Sequence, residues 1–266
     1  MKVAVIGAGA MGSALVTGFL ETGLVQPGDL FVSDPDGGAL AALGQKHPIN
    51  TGTDNKEAVR FADVVILAVK PAVVKPVLKE VAPFITTEHL IVSIAAGVSL
   101  SVLEESVPAE VPVVRVMPNI PALIGEGMAA IALGKNAGAS ERKTVETLFA
   151  AVGKVVTLSE KDLDAATGLS GCGPAFLAII LEALADGGVK MGLSRQLAME
   201  LAAQTMIGTA RMIQVTGEHP AVLKDRVCSP GGSTICGVHV LEEGGLRGIL
   251  MGAVEAAVKR SGKLCK

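Results

Sequence analysis

The feature that most constrains the fold is a glycine-rich segment that directly follows an apolar run at the start of the chain. Residues 2–6 read KVAVI, a run of strand length, and the next six residues follow the pattern G-x-G-x-x-G before a helical pattern that ends near residue 22. In a strand–turn–helix unit the first glycine permits the tight turn, the second lets a pyrophosphate approach the backbone, and the third lets helix and strand pack closely. We therefore predict a dinucleotide-binding loop, with a merely structural turn as the alternative. Its predicted cofactor-binding residues are Ile6, Gly7, Ala8, Gly9, Ala10, Met11 and Gly12.

Strand-like and helix-like segments alternate through the first 160 residues. Apolar runs of strand length occur at 30–33, 64–69, 90–94 and 113–116, and helix-like segments at 36–46, 72–82 and 99–106 separate them. Such alternation is typical of a Rossmann-type, doubly wound and mostly parallel sheet that is covered by helices on both faces. We expect the segments 128–133, 140–152 and 155–158 to extend that sheet.

The pattern changes after about residue 161. Apolar residues recur at helical spacing through 162–190, 194–216 and 233–259, with glycine-bearing turns between these segments. The fold class is therefore α/β plus all-α. We predict a dinucleotide-binding domain over residues 1–159 and an all-helical domain over residues 160–266, which binds substrate and dimerises.

Composition and charge exclude several classes of protein. The chain has 266 residues, a net charge of −3, six Phe and neither Tyr nor Trp, so neither a basic surface nor an aromatic platform favours nucleic acid. Half of the residues are apolar and the mean hydropathy is +0.52. An obligate oligomer would bury this apolar excess between subunits, and an Ala- and Val-rich core is the alternative explanation.

No membrane span or secretion signal is expected. The uncharged run 165–181 contains several glycines and falls short of the roughly 20 apolar residues that a span needs. Glycines also interrupt the N-terminal stretch where a signal peptide would keep its apolar core, so we predict a cytoplasmic protein. The four cysteines, Cys172, Cys228, Cys236 and Cys265, lack metal-ligand spacing, which predicts no metal and reduced thiols that serve mainly as small apolar residues.

An acidic residue follows the second predicted strand. Asp34 lies 22 residues beyond Gly12, where a carboxylate would bind the ribose 2′-hydroxyl of NAD and repel the 2′-phosphate of NADP. Asp34 could equally cap the following helix, with Pro35 at its first position. The adjacent Ser33 is also predicted to bind the cofactor. We expect NADPH or NADH as cofactor, and Asp34 favours NADH or dual use.

Ligands of open α/β sheets bind beyond the carboxyl ends of the strands. Three such ends are predicted here, at 68–71, 95–97 and 117–119. Lys70 is either a site residue or an ordinary lysine at a helix start, and Asn119 is either a site residue or a turn former between two prolines. The cofactor-binding residues predicted at these ends are Ala68, Val69, Lys70, Pro71, Ala95, Ala96 and Gly97.

A second glycine-bearing helix start lies more than 200 residues downstream. Residues 229–234 read SPGGST and open an apolar helical pattern. Glycines let backbone N–H groups approach an anion, and Ser229, Ser233 and Thr234 add hydroxyl donors around it. A small carboxylate suits such a turn, whereas a Ser or Thr N-cap beside a Pro-Gly-Gly turn is the plainer interpretation. Together with a dinucleotide loop, the turn predicts hydride transfer to a small anionic substrate.

Five sequence blocks together resemble the pyrroline-5-carboxylate reductase family along essentially the whole chain. They are VIGAGAMG at 5–12, LAVKP at 67–71, VMPNIPALIGEG at 116–127, GLSGCGPAF at 168–176 and the segment 223–243 around the SPGGST turn. The resemblance implies reduction of the cyclic imine 1-pyrroline-5-carboxylate to L-proline, the last step of proline biosynthesis. It also implies interlocked helical domains in a homodimer, with each site built from two subunits, and assembly of such dimers into a larger ring such as a decamer.

The resemblance also assigns roles to individual residues. Thr234 matches the family's catalytic threonine, whose hydroxyl reaches the ring nitrogen, and Asn55 is placed near the adenosine. The family also often places small hydroxyl residues near Asp34 to hold the 2′-phosphate of NADP, which implies that role for Ser33 as an alternative. Because the imine nitrogen arrives readily protonated, no strong general acid is required, and positioning can supply much of the rate. His219 precedes Pro220 in a polar turn and His239 lies one helical turn beyond Thr234, so both are expected to be structural. The substrate-binding residues so implied are Ser229, Gly231, Gly232, Ser233, Thr234, Asn119 and Gly173.

Two rival interpretations remain open. A β-hydroxyacid dehydrogenase shares the glycine loop and a helical C-terminal domain, but it needs a lysine in the long inter-domain helix, and the stretch 174–185 has none. A non-catalytic dinucleotide-binding regulator is the second rival. It would have no reason to retain the turn at 229–234.

Overall fold

The computed structural model describes residues 1–264, with side chains described through residue 262. Its chain forms two compact units, one of residues 1–172 together with 257–266, and one of residues 173–256. The predicted domain boundary between residues 159 and 160 remains a prediction. Each unit is described by itself below.

The first unit contains an eight-stranded sheet with the strand order β3-β2-β1-β4-β5-β6-β7-β8. All neighbouring strands pair in parallel except β6 and β7, which are antiparallel, so the predicted mostly parallel sheet is confirmed. The strands are β1 Val3–Ile6, β2 Leu30–Ser33, β3 Asn50–Gly52, β4 Val64–Leu67, β5 Leu90–Ser93, β6 Val113–Met117, β7 Gly127–Leu133 and β8 Gly153–Thr157.

Seven helices belong to this unit before residue 172. They are α1 Ala10–Glu21, α2 Gly37–Lys46, α3 Asn55–Phe61, α4 Pro71–Val81, α5 Leu100–Glu104, α6 Ala139–Ala150 and α7 Leu163–Ala166. Short 3-10 turns occupy Pro27–Asp29, Ala82–Phe84, Ile120–Ile124 and Glu160–Asp162, and a π-helical turn occupies Thr167–Gly171.

Local chemistry explains several of these helix starts. The carboxylate of Asp36 accepts hydrogen bonds from two backbone N–H groups at the start of α2, and Asp54 and Ser99 each accept one at the starts of α3 and α5. Helix α4 begins at Pro71, whose fixed φ suits the first helical position. The cap of α2 is Asp36, so the alternative in which Asp34 caps that helix is wrong.

Buried apolar residues cover both faces of the sheet. One cluster joins β1, β2 and β6 to α1 and α6 through residues such as Leu15, Phe19 and Phe149, and the other joins the opposite face to α3 and α4 through residues such as Val59 and Leu78. Each of these five side chains is fully buried. The predicted doubly wound arrangement therefore has a core on each side.

The second unit is helical throughout, as predicted, although one predicted helix is divided in two and one helix was missed. Its helices are α8 Gly173–Lys190, α9 Arg195–Thr216, α10 Pro220–Val227, α11 Ser233–Glu243 and α12 Leu246–Leu264, the last of which continues into the first unit. Sequence periodicity predicted one helix over 233–259, but Gly245 adopts φ +68° and separates α11 from α12. Helix α10 and strand β3 were missed because they are short and mostly polar or exposed.

Apolar side chains of the second unit are mostly exposed. Ala185 and Ala198 are its only buried apolar residues among those the structure describes. Ile207 is 62% exposed and Ile249 is 63% exposed.

One stretch of the described residues, Glu160–Lys190, is long and apolar enough to cross a membrane by length and composition. Of its most apolar 18-residue segment, 11% is buried within the chain. This stretch is longer than the run 165–181 on which the expectation of no span was based.

Three cysteines have free thiols: Cys172 and Cys228, which are partly buried, and Cys236, which is exposed. Cys265 lies outside the described residues. Among the described residues, no cluster of three or more His, Cys, Asp or Glu side chains could hold a metal ion.

Candidate active site

The glycine loop has the geometry that a dinucleotide requires. Gly7 adopts φ +113°, and a Cβ placed there would lie 2.5 Å from the carbonyl oxygen of Ala68. A Cβ on Gly12 would lie 2.0 Å from the Gly7 carbonyl oxygen, whereas a Cβ on Gly9 would meet no heavy atom within 4 Å. Gly7 and Gly12 thus serve packing, while Gly9 keeps the space above the loop open, as the sequence pattern predicts.

The start of α1 is suited to bind an anion. Gly9 is its N-cap and provides no side-chain cap within the described chain, so the N–H groups of the first turn face the open side of the loop. The positive end of the helix dipole favours a pyrophosphate at this place. The residues present therefore fit the dinucleotide that the sequence predicts.

Two residues of the predicted loop contribute through the backbone. Ile6 is 2% exposed and lies at the end of β1 beneath the loop. The N–H of Ala8 donates a hydrogen bond of 2.7 Å to Oδ2 of Asp34, so this donor shapes the loop and ties it to the end of β2.

A cleft of about 280 Å³ lies at the carboxyl ends of β4, β5 and β6. The strand order reverses between β1 and β4, which is the topological switch point at which open α/β sheets bind ligands. Gly97 lies next to the cleft with φ +76°. The cleft is lined by Met11, Ala68, Val69, Lys70, Pro71, Ile94, Ala95, Ala96, Met117 and Pro118.

Asp34 is held at the end of β2 by two backbone donors. Besides Ala8, the N–H of Asp36 donates to its Oδ1 at 2.8 Å. A carboxylate retains further lone pairs when two are used, so Asp34 can still accept a hydrogen bond from a ribose hydroxyl. Ser33 has no exposed surface, and its hydroxyl donates to Oδ1 of Asn55 at 2.8 Å. Ser33 is therefore placed to act through Asn55 rather than to clasp a phosphate directly.

Asn119 is a structural clamp within the first unit. Its Nδ2 donates to the carbonyl oxygen of Ser170 at 3.1 Å and to Oγ of Ser170 at 3.3 Å, and its Oδ1 accepts from the N–H of Met128 at 2.8 Å. All these partners are protein atoms, so the side chain joins the end of β6 to the start of β7 and to the π-helical turn. Its predicted contact with substrate remains a prediction, and the contacts present favour a positioning role.

Another buried polar contact in this region was missed from the sequence. Arg115 on β6 is 5% exposed, and its Nη1 donates to Oε1 of Glu160 at 3.1 Å. The same carboxylate oxygen accepts from the N–H of Leu100 at 2.6 Å. An arginine inside the apolar run VVRVM was the available signal, because a buried guanidinium requires an anionic partner.

The SPGGST turn opens α11 in the second unit, and Gly232 is the N-cap of that helix. Gly231 adopts φ +66°, a left-handed conformation that favours glycine, and the N–H of Gly232 donates to the carbonyl oxygen of Ser229 at 3.0 Å. Ser233 and Thr234 thus lie in the first turn, so the plainer interpretation of either residue as an N-cap is wrong.

The hydroxyl groups of this turn are not used in hydrogen bonds among the described residues, and Oγ of Ser229 lies over the turn, 2.2 Å from a Cβ built on Gly232. Within the described residues, the hydroxyls of Ser229, Ser233 and Thr234 have no hydrogen-bond partner, and Thr234 is partly buried. Backbone N–H groups of the first turn and these hydroxyls together suit a small carboxylate. Gly173, at the start of α8, has no heavy atom within 4 Å of a Cβ built there.

Charged residues near this turn have other partners. His219 caps α10, its Nδ1 accepting from the N–H of Ala221 at 3.2 Å, and His239 contacts Glu243 at 3.4 Å. Both contacts agree with the expected structural roles. The adjacent carboxylate of Asp225, 2.9 Å away, raises the pKa of Lys224, which therefore stays cationic at neutral pH.

Comparisons with known proteins give the class and then the family. Residues 2–97 match a family model described as NADP oxidoreductase, coenzyme F420-dependent, which with the glycine loop defines a nicotinamide-dinucleotide oxidoreductase. Residues 160–264 match the model described as pyrroline-5-carboxylate reductase dimerisation. A pyrroline-5-carboxylate reductase of Methanosarcina acetivorans is 48% identical over 100% of this chain and 98% of that protein, and one of Arabidopsis thaliana is 44% identical over 99% and 95%. The chain belongs to the pyrroline-5-carboxylate reductase family.

Solved structures agree with this assignment. The pyrroline carboxylate reductase of Plasmodium falciparum, solved with NADP bound, has a TM-score of 0.90 and 36% identity. The match covers 100% of this chain and 98% of that chain. The reductase of Coxiella burnetii has a TM-score of 0.94 and 33% identity at the same coverage. The predicted family and fold class are confirmed.

Proposed function

We propose that this chain reduces 1-pyrroline-5-carboxylate to L-proline with a nicotinamide dinucleotide, as the last step of proline biosynthesis. The observation that carries the proposal is the turn at 229–234, an uncapped helix start whose three hydroxyls have no partner within the described residues. Its glycines and hydroxyls match the acid group of a small substrate. The glycine loop at 7–12 supplies the complementary cofactor site.

The chemistry needs little from acid or base side chains. The reduced nicotinamide supplies a hydride for the imine carbon when it is bound. The chain's own residues bind the carboxylate, orient the ring and exclude water, which together can account for much of the rate enhancement. The N–H groups of Gly231, Ser233 and Thr234 are proposed to bind the carboxylate, with the hydroxyl of Ser229 beside them. The N–H of Gly232 was expected to join them, but it donates to the carbonyl oxygen of Ser229, so Gly232 contributes by shaping the turn.

Thr234 has a second role in the proposal. The residue is partly buried and lies in the first turn of α11, where its hydroxyl can reach the ring nitrogen once the carboxylate is bound to the helix start. A hydroxyl both donates and accepts, so it can orient a protonated imine and the amine that follows from it. Thr234 is therefore proposed as the catalytic residue.

Asp34 supports NADH, or use of both cofactors. Its carboxylate is fixed at the end of β2 by the N–H groups of Ala8 and Asp36, the place where an acidic residue binds a ribose 2′-hydroxyl. A second negative charge on a 2′-phosphate would be repelled there. The proposal is tested by kcat/KM with each cofactor for the wild type and for Asp34→Ser, and strong preference of the wild type for NADPH would contradict it.

The active unit is proposed to be a homodimer through residues 160–264. The exposed apolar side chains of the second unit support this assembly, because large obligate interfaces bury such surfaces. The same burial accounts for the apolar stretch Glu160–Lys190 without a membrane. Each site is proposed to take its glycine loop and its substrate turn from different subunits, and a decamer of five dimers is the larger assembly proposed.

Free thiols among the described cysteines support the cytoplasm as the proposed compartment. The proposed domains remain residues 1–159 and residues 160–266. The match to the dimerisation family supports this boundary, because it also begins at residue 160.

The proposal is tested by following oxidation of NADH and NADPH in parallel after 1-pyrroline-5-carboxylate is added to the purified protein. Turnover with the imine is the expected result, together with its loss when the carboxylate is absent from the ring. A panel of β-hydroxyacids with the oxidised cofactors is the control. Activity on those acids and none on the imine would assign the chain to the dehydrogenase chemistry instead.

A further inference from the structure

A chain of hydrogen bonds connects α4 to the end of β2. Nδ2 of Asn55 donates to Oε2 of Glu80 at 3.1 Å, and the buried Ser33 donates to Oδ1 of the same asparagine at 2.8 Å. Ser33 is the last residue of β2, and Asn55 is the first residue of α3. The amide of Asn55 is thus held on both sides, and a carboxylate lies two hydrogen bonds from the strand end.

This strand end is the place where the adenosine half of a dinucleotide is discriminated. Asp34 directly follows Ser33, and its N–H donates to the carbonyl oxygen of Gly52 at the end of β3 at 3.3 Å. An acidic residue at this position faces the ribose 2′ oxygen when the cofactor binds. Glu80 therefore adds a second carboxylate to the same edge of the sheet.

Lys56 only partly offsets the charge of Glu80. Its Nζ lies 3.9 Å from Oε1 of Glu80, and the two side chains are 41% and 39% exposed. Exposed pairs at such distances are weak and screened by water. The pair is therefore loosely held, and the charge of Glu80 has to be separated from that of Lys56 by experiment.

We propose that Glu80 is a specificity-determining residue that disfavours cofactors carrying a 2′-phosphate. The inference rests on the proposed dinucleotide-dependent function and extends the preference argued for Asp34. Glu80 acts in two ways: its charge repels a phosphate dianion, and its oxygen occupies an amide donor of Asn55 that a phosphate could otherwise use. Neither effect weakens the binding of a cofactor with a free ribose 2′-hydroxyl, because that group is neutral and can donate as well as accept a hydrogen bond.

The test is Glu80→Gln, which removes the charge and keeps the size. The ratio of kcat/KM with NADPH to that with NADH is expected to rise about threefold to tenfold, through a lower KM for NADPH. The kcat with NADH, the KM for the imine and Tm are expected to stay close to wild type. The difference between wild type and variant is expected to shrink as ionic strength rises, which a purely structural role would not produce. An unchanged ratio would overturn the proposal.

Two controls separate the carboxylate from its neighbours. Glu88→Gln removes an equivalent exposed charge beside the amino end of β5 and is expected to leave the ratio unchanged. Glu80→Gln is repeated in a Lys56→Met background, because loss of Glu80 also releases Lys56. A shift that persists there supports repulsion by Glu80. A shift that vanishes there shows that the released lysine binds the phosphate and overturns the proposal.

The proposal and the function on which it rests fail in distinguishable ways. Dissociation constants for NADH and NADPH, measured by nucleotide fluorescence without substrate, report the Glu80 effect even if the imine is not reduced. A wild type that prefers NADPH would contradict the Asp34 argument, while a further shift towards NADPH in Glu80→Gln would still support Glu80. Equal ratios of dissociation constants in wild type and variant would contradict Glu80 alone.

Discussion

The two units of the chain differ in where their apolar residues lie. The first unit buries its large side chains on both faces of one sheet, whereas the second unit buries only Ala185 and Ala198 among its described apolar residues. A helix whose apolar residues face outward on several sides requires another surface to cover them. The comparison teaches that the first unit is organised by its own core, while the second is completed by a partner chain.

The two glycine-bearing helix starts show the same contrast on a smaller scale. The glycines at 7 and 12 are required by backbone atoms of their own unit, at 2.5 Å and 2.0 Å from a Cβ built on them. Gly231 has no heavy atom within 4 Å of such a Cβ, and its requirement comes from φ +66°. A Cβ on Gly232 would lie 2.2 Å from Oγ of Ser229, within the same turn. The first loop is thus fixed by backbone contacts that include a neighbouring strand end, and the second by contacts within the turn itself.

The largest effect is expected from breaking the apolar face of the second unit. Ile207→Lys places a charge in the middle of α9 at a residue that is 62% exposed in the single chain. Burial of an unpaired charge in the dimer would be so costly that dissociation and loss of turnover by more than about a hundredfold are expected. Light scattering after gel filtration and a turnover assay measure both effects.

The matched control for this change is Val156→Lys, on the edge strand β8 of the first unit, where the residue is 40% exposed. It is expected to leave both the mass and the turnover unchanged. If Ile207→Lys remained a fully active dimer, it would contradict the claim that a partner chain covers the apolar side chains of the second unit.

The next largest effect is expected at the substrate turn. Thr234→Ala is expected to lower kcat/KM by about tenfold to a hundredfold, or about 1.4–2.7 kcal/mol in transition-state terms, while the fold stays intact. Steady-state kinetics with circular dichroism measure the change. Thr234→Ser, which keeps the hydroxyl, is the control and is expected to retain most activity. Turnover of Thr234→Ala near the wild-type level would remove this residue from the mechanism.

A pair of glycine variants sharpens the contrast within the first loop. Gly9→Ala meets no protein atom within 4 Å, so it is expected to leave Tm unchanged and to raise the KM for the cofactor about tenfold by blocking the pyrophosphate. Gly12→Ala collides with the Gly7 carbonyl oxygen and is expected to lower Tm as well. Thermal unfolding with cofactor titration measures both, and equal cofactor binding by Gly9→Ala and wild type would contradict the assigned role.

The smallest effect is expected at the clamp between β6 and the π-helical turn. Asn119→Ala removes hydrogen bonds to Ser170 and Met128 and is expected to cost about 1–3 kcal/mol of unfolding free energy and a few-fold in kcat. Asn136→Ala, which removes contacts to the carbonyl oxygens of Ala109 and Val111, is the control, with a similar stability loss and unchanged kcat. Full activity of Asn119→Ala would assign the clamp to stability alone.

Sequence reasoning succeeded where the chain itself supplies the constraint. The apolar runs of β1, β4 and β5 and the glycine loop are explained by burial and steric limits within one unit, and the sheet follows from them. The position of Thr234 in the first turn of a helix could also be predicted, because the turn sequence SPGGST directly precedes the helical pattern. Pattern reasoning placed these features correctly because each depends on near neighbours in sequence.

What could not be predicted depends on contacts between distant residues. Glu80 looks like an ordinary charge on α4, and only the folded chain brings it to Asn55. The double use of Asn119 by Ser170 and Met128 likewise needs three segments to meet. Ser33 was one alternative for binding a phosphate, but the structure leaves it no exposed surface and its hydroxyl donates to Oδ1 of Asn55.

The central claim is that the turn at 229–234 anchors the acid group of a cyclic substrate against the nicotinamide. A crystal structure of the assembled protein with L-proline and oxidised cofactor tests it most directly. The account predicts the proline carboxylate on the N–H groups of residues 231, 233 and 234, and the ring carbon about 3–4 Å from the nicotinamide carbon that carries the hydride. Proline bound elsewhere, with this turn remote from every nicotinamide in the assembly, would contradict it.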